Sequence, residues 1–287
     1  MATLDLAPKP RRTPEVTCID ARPRTRSEWL VDQWRHREVL LMLASKQFHV
    51  RYKRASFGVL WAVAVPAVQA TALALVFSHF VHAKGGFSYP AYVIVAVLAW
   101  SYFAATLATG SMAIVDGSSM TDKLWFPRSL LPLAECLANL PGLIISIVLF
   151  LILLPVLGVS YGLHTLVLIP AVVLLVAFAT ALSLALSALH VYFRDVRYLV
   201  QASLLVLFYL TPIAYPQRSV GGLSRWLNFN PLTGMVNLFH LAAVGHSALW
   251  APGLTTSVAV TIGVTIAMLV IALEAHRRHD RLFVDLL

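Results

Sequence analysis

Charge is scarce in this 287-residue chain: 12% of its residues are Asp, Glu, Lys or Arg, against 59% hydrophobic, with a mean hydropathy of +0.77. A soluble globular domain carries roughly 25% charged residues. The shortfall is concentrated in long windows with no charge at all. Apolar runs of about 18 residues or more read as membrane spans, because about 20 helical residues cross a hydrocarbon core of roughly 30 Å. A buried soluble core is disfavoured, since soluble helices of that length keep a polar face.

Cysteine is nearly absent as well. Cys18 lies in the N-terminal tail and Cys136 in an apolar run, so neither a disulfide frame nor a metal site is expected. No glycine is followed by lysine, which excludes a phosphate-binding P-loop. HExxH, paired-cysteine and GxSxG patterns are also missing, so no enzyme activity and no cofactor on this chain are expected. The ten histidines are scattered and read as surface or packing residues. No internal repeat relates the two halves. Pro8, Pro10, Pro14 and Pro23 precede the first apolar run, which therefore reads as an uncleaved anchor rather than a signal peptide.

Cations are what the charged minority mostly consists of. The net charge is +9, and twelve of the 22 Lys and Arg precede residue 57. That placement points to a topology signal and to anionic membrane lipid, not to nucleic acid; each such residue contributes about 1 kcal/mol near a membrane surface. Six spans are expected: Phe57–Val81, Tyr89–Val115, Leu130–Leu157, Leu166–His190, Leu199–Tyr215 and Leu254–Leu273. With the N terminus inside, the cytoplasmic segments hold nineteen Lys and Arg and the outer ones three, Lys84, Arg218 and Arg225. This is a strong positive-inside bias.

The expected fold is an all-α polytopic membrane protein. Residues 1–24 are a Pro- and Arg-rich cytosolic tail with no period, expected to be disordered. Residues 25–54 are expected to form one amphipathic interfacial helix, opened by Thr25 and Glu28 at capping-box spacing. Leu30, Trp34, Leu41, Ala44, Phe48 and Tyr52 recur along it, with Arg35, Arg37, Lys46, Arg51 and Lys53 between them. Trp and Leu would face lipid and the cations the headgroups. Residues 55–273 form the transmembrane domain and 274–287 a cytosolic tail.

Between spans five and six, Trp226 to Leu273 carries no charge. Asn230-Pro231 interrupts that stretch, and Leu232–Val244 reaches only roughly 20 Å as a helix, too short to cross. The segment 217–252 is therefore expected to dip into the outer leaflet as short re-entrant helices. Such backbone must be buried in protein or line a cavity, so Trp226, Asn230 and Pro231 are candidates for an outer gate or a packed lid.

Glu135 is the exceptional charge inside a span. It lies seven residues past Arg128, roughly 10 Å along a helix. At that depth it is a functional candidate or simply solvated or paired. Trp61, Tyr92, Trp100, Tyr102, Phe103, Phe208, Tyr209 and Tyr215 lie on or near the spans. They read as interfacial belts or helix packing, or as channel-lining rings that stack on the C–H faces of sugars.

Three stretches carry a resemblance. They are Arg51 to Trp61 with Pro66 following, Asp122 to Arg128 running on to Leu131-Pro132, and Asn230-Pro231-Leu232-Thr233. In order and placement they resemble the permease subunit of type-2 ABC exporters for polysaccharides such as O-antigen, capsule, teichoic acid and galactan. The likeness spans residues 25–287; the tail 1–24 lies outside it. It implies a homodimer of permeases with two separate ATP-binding-cassette subunits, which hold the ATP and Mg. It implies a coupling helix in the loop 116–129, with Ser118, Ser119, Met120, Asp122, Lys123 and Arg128 meeting the ATPase. Trp125 and Phe126 would wedge that helix against the bilayer. The substrate implied is a polyprenyl-pyrophosphate-linked polysaccharide, and Arg51, Lys53 and Arg54 would receive the pyrophosphate or merely satisfy the positive-inside rule. The location implied is the bacterial inner membrane with both termini cytoplasmic. The competing readings are an ion-coupled carrier using Glu135, an ABC exporter of a lipid or drug, and an intramembrane transferase built on His190, Arg194 and Asp195.

Overall fold

The computed structural model describes residues 25–53, 55–78, 88–118, 126–245 and 253–279, and every regular element among them is helical. The tail 1–24, Arg54 and the segments 79–87, 119–125, 246–252 and 280–287 lie outside the described residues.

Helix α1 (Arg26–Arg35) opens on the expected capping box: Glu28 N donates to Thr25 Oγ1 at 3.3 Å and Thr25 N to Glu28 Oε2 at 2.8 Å. The interfacial helix is not continuous. It breaks at His36 (φ −91°, ψ 17°), whose ring Nδ1 sits 2.8 Å from the Asp32 carbonyl. Helix α2 (Arg37–Tyr52) then turns onto the body of the protein. The break has a packing cause. Leu43 and Ala44 of α2 are buried in one apolar cluster with Ala113, Phe126, Leu130 and Leu131, whereas Val31 and Trp34 on α1 stay exposed.

A 3-10 turn (Gly58–Leu60) leads into α3 (Trp61–Ser78). Helix α4 (Tyr89–Gly110) follows, then the single turn α5 (Ala113–Asp116) and α6 (Leu130–Leu153). A second 3-10 turn (Leu163–Val167) precedes α7 (Leu168–Tyr192). Helices α8 (Val196–Leu210), α9 (Ser224–Leu227), α10 (Pro231–Val244) and α11 (Leu254–His279) complete the chain.

Helix α4 is the hub: it packs against α3, α6, α7 and α10, and 72% of its length is buried, against 11% for α3. Its sequence explains the difference. Ala91, Val93, Val95, Ala96, Val97 and Ala99 present small or β-branched surface around the helix, and all are buried. Without a hydrophobic force between helices in lipid, close backbone approach at small residues drives packing. Gly110 of α4 meets Ser183 of α7 so closely that a Cβ there would lie 1.9 Å from the serine Oγ.

Five helices are long and apolar enough to cross a membrane, each within or overlapping an expected span. This is a multi-pass membrane protein. The expected fifth span, Leu199–Tyr215, needs correction. Its helix α8 runs from Val196 to Leu210, 15 residues, or about 22 Å. Pro212 is the reason: Thr211 ahead of it takes an extended conformation (φ −101°, ψ 136°), because a residue before proline is driven out of the helical region. Span two also stops early, at Gly110, before the bend into α5, and span six runs on to His279.

The re-entrant segment matches its expectation in kind. Helix α10 has 14 residues and is packed against α4, α7 and α11. It lies inside protein, as non-spanning backbone requires.

Candidate functional site

Arg51 sits in the last turn of α2, and Glu135 and Asn139 lie one turn apart on α6. A helix places residues i and i+4 on one face, and α2 runs alongside α6. Arg51 Nη2 donates to Glu135 Oε2 at 3.0 Å, and Arg51 Nη1 donates to Asn139 Oδ1. The Asn139 amide in turn donates to the Glu135 carbonyl at 3.0 Å. The Glu135 side chain is 9% exposed and that of Arg51 27%. The carboxylate in span three is therefore paired, by a cation 84 residues earlier.

This cluster forms the mouth of a crevice of about 220 Å³ between α2, α3, α4 and α6. Beyond Arg51 and Asn139 its polar lining is Ser101, Tyr102, Thr109 and Ser146, with Pro66, Leu98 and Leu143 among the apolar walls. Ser146 lies seven residues past Asn139, so the polar stripe climbs about 10 Å along α6. Tyr102 is anchored in the wall by its hydroxyl, which donates to the Cys136 carbonyl at 3.3 Å. Lys53 is exposed at the extended end of α2, and Arg54 lies outside the described residues.

The expected coupling loop is only partly described. Ser119, Met120, Asp122, Lys123 and Trp125 fall outside the described residues, and Ser118 is half-buried at their edge. Arg128 is 6% exposed, set into the protein rather than presented at its surface. Phe126 needs correction: it is buried among Leu43, Ala113 and Leu130, so it wedges against protein, not bilayer. Two contacts tie the ends of this loop. Gln33 Nε2 donates to Ser129 Oγ at 2.7 Å, and Arg197 pairs with Asp116 at 3.1 Å.

The candidate channel rings do not form one group. Phe103 is fully buried and stacks on Phe178 at 5.7 Å; Trp100 packs edge-on to Phe208 at 5.4 Å. Tyr92 is buried against His240, and its hydroxyl donates to the Tyr215 carbonyl at 3.2 Å. Tyr102 lines the crevice. Phe103 and Trp100 are thus core positions of this chain. Trp61 and Tyr209 are exposed, and Tyr215 is half-buried with its hydroxyl on the Tyr209 carbonyl at 3.0 Å.

In the outer-gate segment, Asn230 caps α10 by accepting from Leu232 N at 3.0 Å, and Pro231 takes the first helical position. Trp226 is exposed beside Phe229, with ring centroids 6.4 Å apart. Behind them Gln217 holds a buried amide network, donating to Asn228 at 2.7 Å and accepting from Asn237 at 3.1 Å. Gly253 (φ +83°) backs it, where an added Cβ would lie 2.5 Å from the Asn228 amide nitrogen.

A family model described as "ABC-2 type transporter" matches residues 38–243. The chain belongs to this family. The match begins at the first turn of α2 and ends in the last turn of α10, so it includes Arg51, Glu135, Asn139 and the whole crevice. This ABC-2 chain is 29% identical over 241 residues to an O-antigen export system permease protein RfbA from Myxococcus xanthus, covering 76% of this chain and 91% of the relative. It is 27% identical over 201 residues to an RfbA permease from Klebsiella pneumoniae, covering 69% of this chain and 77% of that one.

Some ABC-2 site residues escape a reading of sequence alone. Asn139 stands four residues past Glu135, a spacing that could have marked the pair as one face. Gln217, Asn228 and Asn237 gave no such signal, because they meet only through the return of the chain between α8 and α10.

Proposed function

We propose that this ABC-2 chain is the membrane subunit of an exporter moving a polyprenyl-pyrophosphate-linked polysaccharide across the bacterial inner membrane. The observation that carries this reading is its likeness over 76% of its length to a permease named for O-antigen export. The crevice supports it. An arginine at the mouth of a hydroxyl-lined pocket suits a phosphate followed by a sugar, since guanidinium pairs well with phosphate oxygens.

The energy would come from ATP, with Mg, on two separate ATP-binding-cassette subunits docking at the loop 116–129, with both termini cytoplasmic. Two copies of this chain would enclose the path. Helix α3 and the exposed face of α8, with Val65, Val68, Leu205 and Tyr209, offer unpartnered apolar surface to lipid or to the second copy. Of the candidate rings, Trp61, Phe208, Tyr209 and Tyr215 are the ones placed to face that path. The ion-coupled carrier loses its support, because the carboxylate it would use is held by Arg51.

The test is a pull-down of the intact chain in mild detergent. The expected eluate contains an ATP-binding-cassette protein and lipid-linked glycan, and depletion of the chain strands that glycan on the inner leaflet. Export at a normal rate without any ATPase partner would overturn the reading.

A further inference from the structure

We propose that the crevice behind α3 is a seat for a phosphate-bearing lipid headgroup, and that Glu135 is the resident counter-ion which the phosphate displaces from Arg51. This rests on the export reading and deepens it by naming where the headgroup is first held and what competes for it.

Arg51 is engaged but not saturated. A guanidinium offers five N–H donors in a planar fork. Glu135 takes one of them through a single oxygen, and Asn139 takes another. A stable carboxylate pair is commonly bidentate, with two parallel hydrogen bonds. Here the carboxylate holds a corner of the fork, and the rest of the side chain reaches the crevice. A phosphate, with its several oxygens, can occupy the edge of the fork that Glu135 leaves.

The cavity beyond Arg51 is polar where a helix bundle in lipid has no need of it. Ser101, Tyr102, Thr109, Asn139 and Ser146 come from two helices and converge on one space. Burying such groups without partners is unfavourable, so their convergence fits a hydroxylated or anionic guest. Size limits that guest. The volume of about 220 Å³ is below the roughly 300–1,000 Å³ of sites for drug-sized ligands. It admits a phosphate or pyrophosphate with its first attached ring, not a glycan chain. Access is lateral, because α3, which forms one wall, is the least buried of the five long helices.

Glu135 gives the seat a way to let go. A buried arginine with no competitor would hold a pyrophosphate too firmly for a carrier that must pass it on. With Glu135 one turn from Asn139, the same guanidinium alternates between carboxylate and phosphate without ever lying unpaired, which is the costly state for a buried charge.

The test measures equilibrium binding of radiolabelled farnesyl pyrophosphate to the full chain in phosphatidylcholine nanodiscs. Glu135→Gln is expected to bind on the order of tenfold more tightly, because the charged competitor is gone. Arg51→Gln is expected to lose about tenfold or more, and Arg51→Gln/Glu135→Gln, which leaves no unmatched charge, to bind no better than Arg51→Gln. Ser146→Trp, which fills the crevice away from the ion pair, is expected to block binding. A folded Glu135→Gln that binds no tighter than wild type, or a folded Ser146→Trp that binds equally well, overturns the proposal. Unlabelled phosphatidylglycerol and inorganic pyrophosphate distinguish the sources. Competition by phosphatidylglycerol with the same gain in Glu135→Gln makes the seat one for a membrane lipid and removes it from the export route. Competition by pyrophosphate but not phosphatidylglycerol supports the seat as substrate entrance. Normal export by an Arg51→Gln chain that has lost binding upholds the seat while taking it off the route. Lost export with unchanged binding overturns the seat and leaves the export reading standing.

Discussion

At the scale of single residues, the structure ties stability to a few points where helices meet with no room to spare. Gly234 on α10 is the sharpest. An added Cβ would lie 2.3 Å from the Ser257 carbonyl oxygen of α11 and 2.4 Å from Thr261 Oγ1. Backbone cannot swing aside as a side chain can, so Gly234→Ala must push the two helices apart. Overpacking of this kind costs about 1–3 kcal/mol, and thermal unfolding in detergent should fall accordingly, while Gly222→Ala, whose Cβ meets nothing within 4 Å, should melt like wild type. The Arg51–Glu135 pair makes a second expectation at this scale. Arg51→Met alone strands a carboxylate that is 9% exposed; breaking a buried pair from one side costs about 3–5 kcal/mol, and less here because Arg51 is partly solvated. The double substitution Arg51→Met/Glu135→Leu should recover most of that loss, and a double-mutant cycle on melting temperatures measures it. Additive losses would show that the pair does not couple. Sequence spacing placed Glu135 at interfacial depth and left its partner open. The partner could not be read, because nothing local encodes an approach between residues 84 apart in the chain.

At the scale of elements, hydropathy made the long helices legible and capping chemistry located their starts. Thr25 with Glu28, and Asn230 with Pro231, are local patterns whose geometry follows from adjacent residues, and both form as the spacing indicates. Ends were harder to read wherever composition and backbone part company. Ile213 and Ala214 continue the apolar run of span five, yet the helix has already ended at Leu210. The break at His36 was equally hidden, because what bends the chain there is the docking of Leu43 and Ala44 on α6. Asn230 joins these elements. Its Oδ1 caps α10, while its Nδ2 donates to Thr211 Oγ1 at 3.2 Å and to the Leu210 carbonyl at 3.3 Å, holding the end of α8. Loss of a cap costs about 0.5–2 kcal/mol. Asn230→Ala should therefore lower the melting temperature and speed proteolysis near Arg225. Asn230→Asp keeps the capping oxygen and loses only the donors, so it should fall between. Equal losses in the two variants would mean that the cap contributes nothing.

At the scale of the whole molecule, the question is how an odd number of long helices can coexist with cations gathered on one side. Five helices are long enough to cross, and five crossings alone would put Arg51 and Arg277 on opposite faces. Helix α8, about 22 Å long, falls roughly 8 Å short of a hydrocarbon core. The residues after it, 211–216, close that gap, since extended backbone advances about 3.3 Å per residue. Non-helical backbone at membrane depth survives only when it is buried in protein, and this stretch meets the condition. Thr211, Pro212, Ile213 and Ala214 are all buried, the Tyr89 hydroxyl donates to the Ala214 carbonyl at 2.6 Å, and Tyr92 serves Tyr215. Helix and extended segment together make the sixth crossing, and the even count returns α11 to the starting side. Single cysteines at Ser118, Arg218 and Arg278 test this in a Cys18→Ser background, where Cys136 is buried and unreactive. A membrane-impermeant maleimide applied to intact cells should label the Arg218 position alone, and permeabilisation should expose the other two. If Arg278→Cys were labelled in intact cells, α8 with its extension would not cross. The segment 211–230 would then lie on the same face as Arg51, and the positive-inside count would no longer describe this chain.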